Sequence, residues 1–388
     1  MPTEIPPSQP PRFEDIPLPT IVTAREHLEE IAAELAREKR VAIDIESNSF
    51  YAYRERVCLV QMSTSKEDFI IDPVAFADLS SLGPVMADPA VEKIFHAGEY
   101  DVLCLKRDYG FSFTHLFDTM IATRVLGFKE LGLAAAIERH FGVKLSKKLQ
   151  RADWGKRPLT PDHIRYAQLD THYLLRLSDI QKESLTAKGR MEDALEAFGK
   201  LANIRPVSKT FDPEGYWRLT SGKDLAPDQL SCLREIYLLR ENEAASRDKA
   251  PFRIMPEDLM LKIALTLPAE HAALRAIRGM SPYLLQRYGE ALLDAVRHGK
   301  ENPISGRRPA SVHHDPREWK IFEELRRWRK AQAATEGVET VVILTTEELK
   351  EIARVAFAEE GDPLHILSPL KRGRYGESIH LVLKAFHR

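Results

Sequence analysis

The sequence predicts an α/β domain with a mixed sheet flanked by helices, followed by two small all-α domains. Three observations indicate this fold class. Three apolar, strand-like runs follow one another between residues 41 and 73, strand and helix patterns then alternate, and the chain beyond residue 225 has helical patterns. Successive strands followed by strand–helix alternation are typical of a mixed sheet covered by helices.

The elements of the α/β domain are predicted in order from hydrophobic periodicity and breaking residues. Thr160 followed by Pro161 is a helix start, since threonine caps a helix and proline suits its first position. The predicted helices cover most of 21–40, then 75–88, 98–108, 118–126, 131–141 and 161–183, and the predicted strands are 41–46, 57–62, 69–73 and 93–96.

Seven prolines among the first 20 residues predict a flexible tail. Two further segments rich in Pro, Gly and polar residues predict linkers near 204–224 and 302–316. The expected organisation is a tail over 1–20, an α/β domain over 21–205, a helical domain over 225–303 and a second helical domain over 317–388.

Composition excludes several classes of protein. The 388 residues are 44% hydrophobic and 29% charged, which is ordinary for a globular chain. No run of about 18 apolar residues predicts a membrane span. The net charge of -2 excludes a strongly basic protein but allows a local basic patch. The distant cysteines Cys58, Cys104 and Cys232 predict neither a disulfide framework nor a zinc site, and favour a cytoplasmic location.

Asp44 and Glu46 are two positions apart on a predicted strand, so their side chains share one face. Two neighbouring carboxylates in an apolar strand repel each other and are costly to desolvate, and a divalent cation removes that cost. The alternative is a strand end at which both groups are simply solvated.

Two predicted helices bring further candidates. Tyr166 and Asp170 are four apart and share a helix face, while Asp101 follows a strand-to-helix junction. Taken alone, each has an ordinary structural explanation, as does Asp118, which we interpret as a helix N-cap. Together, four acids from three separate elements can hold two Mg²⁺ or Mn²⁺ ions, which activate phosphodiester hydrolysis, while the tyrosine orients water.

A basic segment over 144–157 contains six Lys or Arg residues and one acid. Such a segment can bind a single strand through phosphate contacts and base stacking, and the candidates are Lys147, Lys148, Arg151 and Trp154. The alternative is a solvated loop in which Trp154 is a buried anchor.

These motifs together resemble the ribonuclease D family of the DEDD superfamily, in its tyrosine form. The matching stretches are Asp44-Ile45-Glu46, His96-Ala97-Gly98-Glu99-Tyr100-Asp101, Arg151 to Thr160, and Tyr166-Ala167-Gln168-Leu169-Asp170. The helical regions resemble HRDC domains, which follow the nuclease domain in this family. One departure is Ser47, where many members carry a bulky residue that wedges the terminal nucleotide.

The resemblance implies a ribonuclease H-like fold and a metal-dependent 3′→5′ exoribonuclease that releases nucleoside 5′-monophosphates. It assigns metal binding to Asp44, Glu46, Asp101 and Asp170, and water positioning to Tyr166. The implied partners are RNAs with a free 3′ end, above all tRNA precursors and other small structured RNAs. The alternatives are a DNA 3′→5′ exonuclease with the same site and a non-catalytic nucleic-acid-binding module.

Overall fold

The computed structural model describes residues 16–206, 210–220, 222–304, 315–359 and 361–386. Most of the predicted tail, and most of the predicted linker near 302–316, lie outside these residues. The end of the tail differs from the prediction, because Ile16 is buried and the carbonyl of Pro17 accepts a hydrogen bond from Gln168 Nε2 at 2.8 Å. Among the described residues, no helix is both long and apolar enough to cross a membrane.

A six-stranded mixed sheet confirms the predicted fold class. The strands are β1 (Thr20–Val22), β2 (Arg40–Ser47), β3 (Val57–Ser63), β4 (Asp68–Ile71), β5 (Glu92–Phe95) and β6 (Leu116–Asp118). Their order in the sheet is β1-β4-β3-β2-β5-β6, so β2 lies in the interior. β3 and β4 are antiparallel, whereas the pairs β1–β4, β2–β5 and β5–β6 are parallel.

Helices cover both faces of the sheet. The helices are α1 (Arg25–Leu35), α2 (Gly83–Ala87), α3 (Glu99–Tyr109), α4 (Thr119–Val125), α5 (Leu133–Phe141), α6 (Pro161–His172), α7 (Leu174–Ala187) and α8 (Met191–Asn203). One hydrophobic core lies between α1, α3 and the face of β2 that carries Ile43. A second core lies between later helices and the opposite face of β2, which carries Ala42.

Several elements, among them α8, differ from the sequence-based prediction. The strands β1 and β6 were not predicted, since three residues are too few to show alternation. The helix predicted over 75–88 is reduced to α2 and a short 3₁₀ turn before it. The helix predicted over 161–183 is two helices, α6 and α7, that meet at the buried Tyr173.

Contacts divide the chain into two compact units. One contains the described residues within 1–46, 57–206 and 314–388, and the other contains 47–56 with the described residues within 207–313. The second unit comprises α9 (Pro227–Ser246), α10 (Pro251–Ile254), α11 (Glu257–Thr266), α12 (His271–Ala276) and α13 (Pro282–Glu301) around one core. This confirms the helical character predicted for the region after the α/β domain.

The last helices belong to the same unit as the sheet. They are α14 (Pro316–Glu336), α15 (Thr340–Ile343), α16 (Thr346–Ala358) and α17 (Pro369–Lys384), and they enclose a core of their own. Helix α8 and its N-cap residue contact these helices through several ion pairs. They include Arg190–Glu336 at 2.6 Å, Asp193–Arg374 at 2.7 Å and Lys200–Glu348 at 2.8 Å.

Candidate active site

Asp44 and Glu46 lie on β2 and share one face of the sheet. Ile43 and Ile45, which alternate with them, are buried in the core on the opposite face. Because side chains alternate along a strand, both carboxylates are directed to the other face. Burial raises the pKa of Asp44 to about 7. Burial, and then the neighbouring carboxylates, raise the pKa of Glu46 well above its usual range.

Asp101 lies in the first turn of α3 and is only 6% exposed. Its carboxyl group interacts electrostatically with that of Asp44. Burial, and then nearby carboxylates with Asp44 the strongest, raise the pKa of Asp101 well above its usual range. Asp101 therefore belongs to the same group of interacting carboxyl groups as Asp44 and Glu46.

Asp118 fixes the turn that leads from β5 into α3. It is the N-cap of α4, as the sequence predicts, and its Oδ1 accepts a hydrogen bond from the Ile121 amide at 2.8 Å. Its Oδ2 accepts from the Gly98 amide, also at 2.8 Å. A Cβ at Gly98 would lie 2.5 Å from Cβ of Phe95, so only glycine fits there. The sequence did not reveal that Asp118 also orients the start of the helix that carries Asp101.

Helix α6 supplies the remaining two candidates. Thr160 caps it by accepting a hydrogen bond from the His163 amide at 3.4 Å, with Pro161 in the first turn, as the sequence predicts. Burial, and then Asp44, raise the pKa of Asp170 well above its usual range. Burial, and then the carboxylates led by Asp170, also raise the pKa of Tyr166. The four acids and the tyrosine therefore share one electrostatic environment.

The donor set fits a hard divalent cation. Four carboxyl groups contribute only oxygen atoms, which Mg²⁺ and Mn²⁺ prefer, and burial with mutual repulsion penalises their charged forms. Within the described ranges, no three His, Cys, Asp or Glu side chains already stand in an arrangement that would hold a metal ion. A bound cation would relieve the repulsion among these carboxylates.

Trp154 is a buried support for Tyr166. It is 1% exposed, and its ring centroid lies 5.8 Å from that of Tyr166 and 5.2 Å from that of His163. The hypothesis that Trp154 stacks on a base is therefore wrong, since no face of the ring is open. The alternative of a buried anchor is confirmed.

Arg157 ties the basic segment to the sheet. It forms an ion pair with Asp72, in which Nε donates to Oδ2 at 2.6 Å, and its Nη2 donates to the carbonyl of Cys58 at 2.9 Å. Its guanidinium is thus a structural contact. Lys147, Lys148 and Arg151 are exposed, as a nucleic-acid contact requires.

Comparisons with known proteins identify the family. A family profile described as a 3′–5′ exonuclease matches residues 19–185, and an HRDC domain profile matches residues 229–296 and 318–383. The "Ribonuclease D" of Gluconacetobacter diazotrophicus is 31% identical over 290 residues, which cover 74% of this chain and 73% of that protein. The "Exosome complex component 10 homolog" of Caenorhabditis elegans is 35% identical over 291 residues, or 72% of this chain.

The match covers only 32% of the Caenorhabditis elegans protein, so this chain corresponds to about a third of its length. Among solved structures, the exoribonuclease RNase D of Escherichia coli has the same fold, with a TM-score of 0.68 over 95% of this chain and 99% of that chain at 23% identity. The chain belongs to the ribonuclease D family, with a 3′–5′ exonuclease domain followed by HRDC domains.

Proposed function

We propose that the chain is a metal-dependent 3′→5′ exoribonuclease that releases nucleoside 5′-monophosphates. The observation that carries this proposal is the cluster of four carboxyl groups with Tyr166, drawn from β2, α3 and α6, in which Asp101 is buried and the other three acids are half-buried. Family membership and the names of the relatives support RNA as the substrate. As natural substrates we propose the 3′ ends of tRNA precursors and other small structured RNAs.

In this mechanism the residues of the chain hold and orient the reacting groups. Asp44, Glu46, Asp101 and Asp170 would hold two divalent cations, Mg²⁺ or Mn²⁺. Bound there, such cations polarise the scissile phosphate and lower the pKa of a water molecule. The Tyr166 hydroxyl lies beside the carboxylates and orients the attacking water. The sheet and the N-terminal cap of α6 keep the carboxylates and Tyr166 in place. This preserves the geometry in which water attacks the phosphate.

Domain roles follow the same proposal. The exonuclease domain over 21–205 performs the chemistry, and the helical domains over 225–303 and 317–388 assist substrate binding. Because Cys58, Cys104 and Cys232 are buried and form no disulfide among the described residues, we also propose a reducing, cytoplasmic location.

An assay of polarity and products tests the function. The full-length protein with Mg²⁺ should shorten a 5′-labelled, unstructured RNA one nucleotide at a time and release nucleoside 5′-monophosphates, and EDTA should stop the reaction. Faster degradation of DNA of the same sequence would indicate the DNA exonuclease. Binding of RNA without any hydrolysis would indicate a non-catalytic module.

Replacing Tyr166 with phenylalanine should slow hydrolysis. The ring and its packing against Trp154 remain, and only the hydroxyl is lost. General-base or positioning groups contribute about 10²–10⁴-fold, so we expect kcat to fall by at least roughly tenfold with little change in RNA affinity. Steady-state kinetics with a melting curve as control measures this. A wild-type rate would assign Tyr166 a purely structural role.

Replacing Lys147, Lys148 and Arg151 together with alanine should weaken the salt dependence of RNA binding. Three phosphate contacts on a single strand contribute a slope of log K against log salt of about -2. The slope should therefore flatten by roughly 2, and binding should weaken similarly for all sequences. A variant with arginine at both lysine positions keeps the charge and should keep the slope. An unchanged slope in the triple variant would show that RNA binds elsewhere.

A further inference from the structure

Within the first helical domain, the C-terminal end of α9 lies beside the first turn of α13. Arg247 is the C-cap of α9, and Tyr283 is the second residue of α13, whose N-cap is Ser281. Arg247 Nη1 donates a hydrogen bond to the Tyr283 hydroxyl at 3.3 Å. The packing of the two helices therefore brings a cation from one and an aromatic ring from the other to the same place.

Arg247 is held in turn by the buried Tyr288. Tyr288 is 3% exposed and lies in the core of the domain. Arg247 Nη1 donates to its hydroxyl at 2.9 Å, and that hydroxyl donates to Glu243 Oε2 at 3.2 Å. Because the guanidinium is fixed to the core, the Tyr283 hydroxyl that it contacts is held as well. A ring that is held before binding loses little further conformational entropy when a ligand packs on it.

Positive charge surrounds the Tyr283 ring. The hydrogen bond from Arg247, and then the charges of Arg247, Lys249 and Arg287, lower the pKa of Tyr283. Glu243 Oε2 lies 4.0 Å from Arg247 Nη1 and 3.8 Å from Arg287 Nη2, so one carboxylate serves two guanidiniums. Lys249 is exposed and forms no ion pair with any residue that the structure describes. The three cations therefore outnumber the carboxylate that contacts them, in a chain whose net charge is -2.

The exposed side chains of this group have the chemistry of a single-strand nucleic-acid contact. Tyr283 is 56% exposed, and both Lys249 and Arg287 are exposed. An exposed aromatic face accepts any base by stacking, and neighbouring cations pair with phosphates. A single exposed tyrosine is common on protein surfaces, but this one is fixed by one cation and flanked by two more. An acidic peptide would satisfy the cations and gain little from the ring, so the combination favours a nucleic acid.

We propose that Lys249, Tyr283 and Arg287 form a binding site for single-stranded RNA on the first helical domain. The Tyr283 ring stacks on an unpaired base, while Lys249 and Arg287 contact phosphates. The base can be of any identity, since every base has a stacking face. The proposal rests on the exoribonuclease function proposed above, which makes RNA the ligand, and it assigns the binding role of this domain to particular residues.

Binding of single-stranded RNA to the full-length protein in EDTA tests the proposal, since the chelator prevents metal-dependent hydrolysis. The probe is a 5′-fluorescein-labelled oligouridylate, followed by anisotropy. Tyr283→Ala should raise its Kd by roughly 5- to 150-fold, the value of one lost stacking contact, without changing the salt dependence. Tyr283→Phe keeps the ring face and should retain most of the affinity. A blunt RNA duplex offers no open base face, so Tyr283→Ala should leave its Kd unchanged.

The double variant Lys249→Ala, Arg287→Ala tests the phosphate contacts. Losing two such contacts on a single strand should flatten the slope of log K against log salt by about 1.4. Arg275→Ala removes an exposed arginine of α12 in the same domain and is the matched control, which should keep the wild-type slope. Melting curves of all variants check that the fold persists.

The outcomes separate this inference from the function on which it rests. An active wild type whose Kd for oligouridylate is unchanged in Tyr283→Ala would overturn the stacking role alone, as would an equal loss of affinity for single strand and duplex. An unchanged slope in the double variant would overturn the phosphate contacts. A wild type that binds RNA through these residues but hydrolyses none with Mg²⁺ would overturn the exonuclease function and leave the binding site standing.

Discussion

Asp44→Asn should reduce hydrolysis at least about a hundredfold while the protein stays folded. An amide cannot neutralise a cation, and a metal-polarised phosphate accounts for several kcal/mol of transition-state stabilisation. Asp44 also repels the neighbouring carboxylates of Glu46, Asp101 and Asp170. Removing one charge from this cluster relieves repulsion, so without metal the melting temperature should be equal to or higher than that of the wild type.

The measurement is the rate on 5′-labelled RNA with Mg²⁺, together with melting curves in EDTA. Asp162→Asn, an exposed acid in the first turn of α6, is the matched control and should keep full activity. Substantial activity in Asp44→Asn would contradict the assignment of this carboxylate. A large drop in melting temperature would mean that the lost activity reflects unfolding.

Trp154→Ala should destabilise the protein by about 3–5 kcal/mol, the usual range for removing a large aromatic side chain from a core. The side chain is fully enclosed by a cluster that includes Cys58, Leu59 and Ala167. Its loss leaves a cavity beside Tyr166, so activity should fall as well. Chemical denaturation should show a lower midpoint with an unchanged m-value.

Trp319→Ala is the control for this change, because that ring is 47% exposed and its removal leaves no internal cavity. It should destabilise the protein much less than Trp154→Ala. Full stability of Trp154→Ala combined with weakened RNA binding would contradict the buried anchor and restore the stacking hypothesis.

Local patterns were sufficient to predict much of the sheet and the positions of the acids. The alternation around Asp44 and Glu46, and the Thr160-Pro161 helix start, depend on neighbouring residues alone. The three-residue strands β1 and β6 depend on pairing with distant strands, so their own sequences carry too little pattern. The break at Tyr173 likewise follows from packing, since this residue stacks on Phe141 at 5.3 Å.

Other features of the structure depend on contacts between residues that are distant in sequence, so local sequence patterns did not predict them. The choice between a stacking and a buried Trp154 depends on Tyr166 and His163, which lie several residues further along the chain. Arg253 Nε donates a hydrogen bond to the carbonyl of Phe50 in the loop after β2, and the two residues are 203 positions apart in the sequence. No pattern within either segment indicates such a contact.

Titration of Mn²⁺ into the metal-free protein, followed by calorimetry, tests most directly whether carboxylates from β2, α3 and α6 form one metal site. The wild type should bind two ions. Asp44→Asn, Asp101→Asn and Asp170→Asn should each weaken or lose this binding, whereas Asp162→Asn should bind as the wild type does. Undiminished binding of both ions by any of the three site variants would contradict the account.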